Sequence, residues 1–361
     1  MLRLLPRREP SRAMLYLTPF LAVALTMLAG LALFALLGKD PFEAIRIIFL
    51  EPLMTLNGLS ELTVKAAPLI LIATGLAIGF RAGIWNIGAE GQYIMGALAG
   101  GCVALAVYPA GGPWLLPLMC LAGAAGGIAW AAIPAMLRTR FATNEILVSL
   151  MLVYVAIQFL SAMVHGPLRD PDGLNFPESR LFQGGATVPV LAAGKRAHVG
   201  FFFALAAVAA GWVLLGRHIV GFQIKVLGQA PQAARFAGYS ERRLVWITFI
   251  ISGALAGLAG LFEAAGPVGQ LVPALPAGYG FTAIIVAFLG RLNPIGILLA
   301  GLLMALTYIG GEAAQIAMSL PSATTSVFQG MLLFFLLASD VLVNYRLQFG
   351  RASAGSAGKK R

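Results

Sequence analysis

Charge is scarce in this sequence. Only 11% of its 361 residues are Asp, Glu, Lys or Arg, against about a quarter in a soluble domain. With 59% hydrophobic residues and a mean hydropathy of +0.87, the chain has too little polar surface to cover its apolar surface in water. That excludes a soluble fold and assigns the chain to a bilayer. Cysteine is scarce too. Cys102 and Cys120 both lie in apolar runs, which excludes a disulfide framework. His165, His198 and His218 are scattered and no HExxH or CxxC spacing exists, so no metal centre is expected. The G-x-x-x-x-G-K-[ST] phosphate loop is missing, and so is G-x-S-x-G. The chain alone is therefore not expected to hydrolyse ATP or to carry catalytic residues.

The net charge is +11. The basic residues sit in short segments between apolar runs, with no long basic stripe, so nucleic acid is not the expected partner. A span needs about 20 apolar residues. Ten spans are predicted: 15–37, 62–80, 86–108, 114–137, 144–164, 199–216, 245–265, 281–290, 294–311 and 324–344. The fold class is an all-α polytopic bundle of about ten transmembrane helices. Of the 25 Lys and Arg, only Lys39, Arg46, Lys65, Arg169, Arg180, Lys195 and Arg196 fall on one side. The richer side is cytoplasmic, which predicts an N-in/C-in arrangement. Residues 1–14 form a cytoplasmic N-terminus, 15–344 a single transmembrane domain and 345–361 a disordered basic tail. The opening MLRLLPRREPSR followed by Met14–Gly38 is too long for a signal peptide and reads as an uncleaved first span.

Between spans, 40–53 is amphipathic and too short to cross, so it is expected along the outer surface. Segment 165–198 is the largest outer loop. Glycines at small-xxx-small spacing, such as Gly96 with Gly100 and Gly253 with Gly257, allow close helix approach. "FRAGIWNIG" (80–88) and "FLGRLNPIG" (288–296) form a faint internal echo at two inner turns.

Four stretches carry polar chemistry. In "FRAGIWNIGAEGQYIMGALAGG" (80–101) the chain turns at the inner surface and re-enters. Asn86 suits the cap of the new helix and Glu90 the positive end of its dipole. Glu90 and Gln92 sit a turn or more into the span, where they serve either helix packing or a permeation path. "GFQIKVLGQAPQAARFAGYSERRL" (221–244) is the longest and most basic inner loop. Pro231 suits the first position of a short helix and Gly238 the position past its end. So short a helix needs a groove in another molecule; the alternative is a basic loop held by anionic lipid. In "RTRFATNEILVSLMLVYVA" (138–156), Thr143 or Asn144 caps a helix with Glu145 in its first turn, a structural role. "GQLVPALPAGYGFTAIIVAFLGRLNPIGILLAGLL" (269–303) joins a Pro/Gly-rich outer loop to a short helix and an Asn-Pro turn. Tyr279, Phe281 and Asn293 there either face a solute or form a plain re-entrant turn. A path lined by amides, hydroxyls and aromatics suits a neutral polar solute.

Those stretches, with "HGPLRDP" (165–171) and "ISGALAGLAG" (251–260), resemble the permease subunits of bacterial ABC importers, nearest to the nucleoside/simple-sugar branch. The likeness runs in order from residue 60 to 340. It implies a permease that moves nucleosides across the bacterial cytoplasmic (inner) membrane by alternating access. The 217–244 loop would be the cytoplasmic coupling loop, with Gly228, Pro231, Gln232, Ala234, Arg235, Gly238 and Tyr239 in the docking segment. It also implies a separate cytoplasmic ABC ATPase that uses ATP and Mg, a second similar permease or second copy, and an extracytoplasmic substrate-binding protein or lipoprotein. Membrane lipid is a further expected partner, nucleic acid is not, and no cofactor is expected in the chain itself. The implied solute path runs past Asn86, Glu90, Gln92, Tyr93, Tyr279, Phe281 and Asn293. The sugar branch carries G-x-D-L-S-x-G where this chain has "WNIGAEGQ", which favours nucleosides. The rival readings are a sugar or branched-chain amino-acid permease of the same fold, and a passive channel or secondary carrier.

Overall fold

The computed structural model describes residues 2–6, 11–109, 111–321 and 323–349. The helices are α1 (Arg12–Leu36), α2 (Pro41–Ile45), α3 (Glu51–Met54), α4 (Leu56–Arg81), α5 (Ala89–Ala106), α6 (Leu115–Phe141), α7 (Glu145–His165), α8 (Gly200–Arg217), α9 (Ile219–Gln229), α10 (Pro231–Phe236), α11 (Glu241–Glu263), α12 (Tyr279–Leu289), α13 (Pro294–Met318) and α14 (Ala323–Asn344). Eight of these elements are long and apolar enough to cross a membrane, so the chain is a polytopic helical membrane protein. The remaining two of the ten expected spans are α5 and α12. Apart from its polar start and its glycines α5 is apolar, but most of its side chains are buried by protein. At 11 residues, α12 rises about 16 Å, roughly half a bilayer core.

The chain divides into two compact units, residues 1–48 with 311–361, and residues 49–310. In the first, α1 packs along α14, and a Cβ on Gly30 would lie 2.7 Å from the Phe328 ring. Strand β1 (Leu2–Pro6) pairs antiparallel with β2 (Tyr345–Phe349), Leu2 opposite Phe349. The first five residues of the tail expected to be disordered are therefore a strand, because the N-terminal segment supplies the missing ladder. Residues 350–361 lie outside the described residues.

In the second unit α4 is buried along nearly its whole length, packed by α8, α11 and α12. Helices α5, α6 and α11 meet at glycines. A Cβ on Gly127 would lie 2.9 Å from the Gly257 Cα, so the backbones touch. Caps start the helices where the sequence offers them: Asn144 accepts from the Ile146 and Leu147 amides, and Ser240 from that of Arg243. The 165–198 loop lies over the end of this unit. Ser179 and Phe182 donate backbone bonds to Leu271 and Gly269, and Val188 to Ala265. The echoed turns meet: Phe80 stacks on Phe288 at 5.4 Å, and Arg81 Nε donates to the Leu292 carbonyl at 2.8 Å. Gly83 and Arg291, equivalent in the echo, both take positive φ, 71° and 57°.

Candidate functional site

The polar stretch after α4 sits halfway up the bundle. α11 has 23 residues, about 34 Å of rise, and Ser252 lies about 16 Å along it. Asn86 Nδ2 donates to Ser252 Oγ at 2.9 Å, so Asn86 stands near mid-height. The chain reaches it by turning at Gly83, pairing the Ile84 amide with the Gly79 carbonyl, and running non-helically to Ala89. Asn86 is thus not the α5 cap, which is Gly88. It closes the turn before it: its Oδ1 accepts from the Gly88 amide at 3.1 Å. The Asn86 and Gln92 amides also exchange two hydrogen bonds, at 2.9 and 3.0 Å. With all three partners inside the fold, these buried amides need no water.

Glu90 joins the starts of α5 and the half-crossing α12. It lies in the first turn of α5, and its carboxylate accepts from the Gly278 amide at 2.8 Å and the Gly280 amide at 2.5 Å. The first amides of α12 have no partner within their own helix, and Gly278 has no side chain to cap them. Glu90 supplies that cap from a neighbouring helix, and its charge faces two positive helix ends. The approach requires glycine: a Cβ on Gly280 would lie 2.6 Å from the Glu90 Cα.

Beside this node lies an aromatic and charged cluster. Tyr93, fully buried, meets Tyr279 edge-on at 6.0 Å, and Tyr279 meets Tyr308 at 5.8 Å. Thr282 Oγ1 and the Tyr308 hydroxyl are 2.8 Å apart. Lys65 Nζ lies 5.8 Å from the Tyr279 ring centre. The buried Glu263 carboxylate is hydrogen-bonded to Tyr279, with Lys65 as its principal nearby cation. The structure therefore brings together Asn86, Glu90 and Gln92, and joins Tyr93 to Tyr279. It leaves Phe281 and Asn293 apart. Phe281 is 38% exposed, and Asn293 caps α13 by accepting from the Ile295 amide at 3.1 Å. Sequence reasoning missed Lys65, Glu263, Thr282 and Tyr308. The first two had a signal, since ionisable residues inside apolar helices mark functional sites.

In the 217–244 loop, α10 matches the expected bounds. Pro231 is in its first turn, and Gly238, at φ 78°, follows its last residues. Ala234 is buried against Ala82, Leu227 and Leu244, and Tyr239 packs on the same cluster. Gly228 lies against the Arg81 backbone. Gln232 and Arg235 face outward, and Phe236 is 93% exposed. From α10 a line of charges runs inward. Arg235 pairs with Glu241 at 2.9 Å, and Glu241 with Arg138 at 3.6 Å. Arg138 pairs with Glu145, whose carboxylate accepts from the Trp85 amide at 3.4 Å. Glu145 thus does more than complement a dipole: it ties the 217–244 loop to the non-helical segment that feeds α5.

Residues 58–337 match the protein family described as branched-chain amino acid transport system / permease component. The chain is 39% identical over 357 residues to a glucose ABC transporter permease protein of Haloferax volcanii, covering 96% of this chain and 93% of that one. It is 29% identical over 328 residues to a guanosine ABC transporter permease protein of Bacillus subtilis, covering 90% and 93%. It is 26% identical over 353 residues to a nucleoside ABC transporter permease protein of Lactococcus lactis, covering 96% of each. No solved structure matches the chain. The apolar helices and these matches agree: the chain belongs to the branched-chain amino acid transport system / permease component family, as a multi-pass inner-membrane ABC transporter permease of nucleoside/sugar type.

Proposed function

We propose that this permease is the translocation subunit of an ATP-driven importer, and that it carries nucleosides inward by alternating access. The observation that carries the reading is α10, a six-residue helix with Ala234 buried and Phe236 93% exposed. So short a helix is not stable alone in water, and a bare phenylalanine at its end suits a groove in a partner. That partner is a separate cytoplasmic ABC ATPase, which supplies ATP and Mg chemistry. ATP binding there favours one arrangement of the permease over another, and that difference in affinity drives the cycle. A second permease, identical or similar, completes the path, and an extracytoplasmic binding protein or lipoprotein delivers the solute. The N-terminus and α10 both face the cytoplasm.

The guanosine and nucleoside permeases among the relatives favour nucleosides. The glucose permease, 39% identical, favours a second reading in which the solute is a sugar. Both solutes carry a ring with adjacent hydroxyls. The test reconstitutes the permease with its ATPase and binding protein in proteoliposomes and follows labelled guanosine, glucose and leucine. ATP-dependent guanosine uptake is the expected result. Glucose uptake alone replaces the solute. Leucine uptake, or uptake that ignores ATP, overturns the reading.

A further inference from the structure

Tyr93 carries a polar atom with nothing to bind. Its side chain is fully buried, and its hydroxyl has no hydrogen-bond partner among the described residues. An unpartnered buried hydroxyl costs stability, so a fold keeps one where something else uses it. What surrounds it is not a random core. Tyr279 presents an edge at 6.0 Å, and Glu263, Tyr279 and Glu90 are the titratable groups acting on it. Beyond Tyr279 stand Lys65, Tyr308 and Thr282.

Glu90 is already committed, because both its oxygens cap α12. Glu263 differs. It ends α11, is 8% exposed, and sits where the helix widens into the π-helical turn Ala264–Val268. Such turns recur at functional sites. Its neighbours are Tyr279, the cations Lys65 and Arg196, and the anion Glu61. Arg196 also pairs with Glu61 at 3.1 Å, and Lys65 stands on the tyrosine side, its Nζ 5.8 Å from the Tyr279 ring centre.

Resting on the transport reading above, we propose that Glu263, Tyr93, Tyr279 and Lys65 form the solute site of the permease, and that it recognises the vicinal diol of a sugar ring. A carboxylate accepts two parallel hydrogen bonds from adjacent hydroxyls. The Tyr93 hydroxyl serves a third ring oxygen, Lys65 donates to another, and a tyrosine face covers the apolar side of the ring. The tyrosines now touch one another, so the solute enters when α12 moves. That helix spans only Tyr279–Leu289 and is entered through the non-helical stretch before Gly278; its movement must loosen the bonds that the Gly278 and Gly280 amides donate to Glu90. The diol is common to ribonucleosides and hexoses, and the test separates the two sources.

The complete importer is reconstituted with wild-type, Glu263→Gln or Tyr93→Phe permease. Uptake is followed for guanosine and 2′,3′-dideoxyguanosine, and for glucose and 2,3-dideoxyglucose. Each KM is expressed relative to wild type, which cancels the preference of the binding protein. Glu263→Gln raises the KM of the diol-bearing solute about tenfold or more and that of its deoxy counterpart less than about twofold. The pair that shows the split identifies the source. Tyr93→Phe also raises KM, by about threefold or more, while its thermal midpoint rises, because a hydroxyl without a protein partner has gone. A hydroxyl of purely structural consequence shows the higher midpoint with an unchanged KM. Unchanged KM values in both variants, or equal changes for both members of each pair, overturn the site and leave the importer standing. Wild-type uptake of neither solute class overturns the transport reading and this site together.

Discussion

Glu90 shows how one side chain positions two elements. Its carboxylate takes the place of the cap that Gly278 lacks, in a region where water is excluded. Glu90→Ala leaves two α12 amides unsatisfied and should cost on the order of 3 kcal/mol or more, whereas Glu90→Gln keeps one acceptor and costs less. Gly280→Ala should behave like the alanine variant without touching a polar group, because its Cβ collides with the α5 backbone. Thermal unfolding of the purified permease in detergent ranks the three; a neutral Gly280→Ala would mean that the two helices do not meet here. A second residue tests the outer loop. His198 is 3% exposed, and burial, reinforced by the neighbouring Arg196, pushes its pKa down to about 4. The unfolded chain binds the proton near pH 6.5 and the folded one does not. Stability is therefore complete above that value and falls as the pH drops towards 4. By pH 5 the loss is about 2 kcal/mol. His198→Asn keeps an acceptor for the Gly200 amide, now bound by Nδ1 at 3.1 Å, and should flatten the pH profile of the midpoint by that amount. At this scale the sequence showed which residues were polar and out of place. It did not show their depth, because Asn86 is placed by Ser252, 166 positions away.

At the scale of the element, local chemistry was legible and length was not. Pro231 and Gly238 mark the ends of α10 because ring-fixed φ starts a helix and positive φ stops one. Side-chain capping offered Thr143 or Asn144 for the start of α7, and Asn144 is the cap. Helices α5 and α12 fall within the expected spans 86–108 and 281–290, although each is shorter than its neighbours and shielded by protein rather than uniformly apolar. The docking element yields the next prediction. Gly238→Trp is a poor probe, because its φ of 78° strains any side chain regardless of what docks. Phe236→Ala removes an exposed ring and leaves α10 folded. It should lower ATP-dependent uptake about tenfold or more with normal insertion, as expected for a central aromatic anchor. The line of charges is tested by exchange. Arg235→Glu faces Glu241 with a like charge, and adding Glu241→Arg restores that pair while opposing Arg138. If the line transmits docking to Trp85, the double variant remains uncoupled; full recovery of uptake would confine the role of Arg235 to its local pair.

For the whole molecule, composition alone led to a polytopic helical bundle, and the number of crossings was harder because length and hydropathy select eight elements where ten were expected. Direction across the membrane rests on the distribution of Lys and Arg, and it ties the other readings together, since a docking helix on the outer face would meet no ATPase. The structure provides exposed positions for testing it. Phe236 is 93% exposed in the 217–244 loop and Leu174 is 88% exposed in the 165–198 loop. With Cys102 and Cys120 replaced by alanine, a thiol introduced as Phe236→Cys should resist a membrane-impermeant reagent in intact cells and react once the membrane is opened. One introduced as Leu174→Cys should react in intact cells. The opposite pattern would place α10 outside and remove the basis for ATP coupling. It would leave the Glu90 node untouched, because that node depends on contacts within the protein rather than on which face meets the cytoplasm.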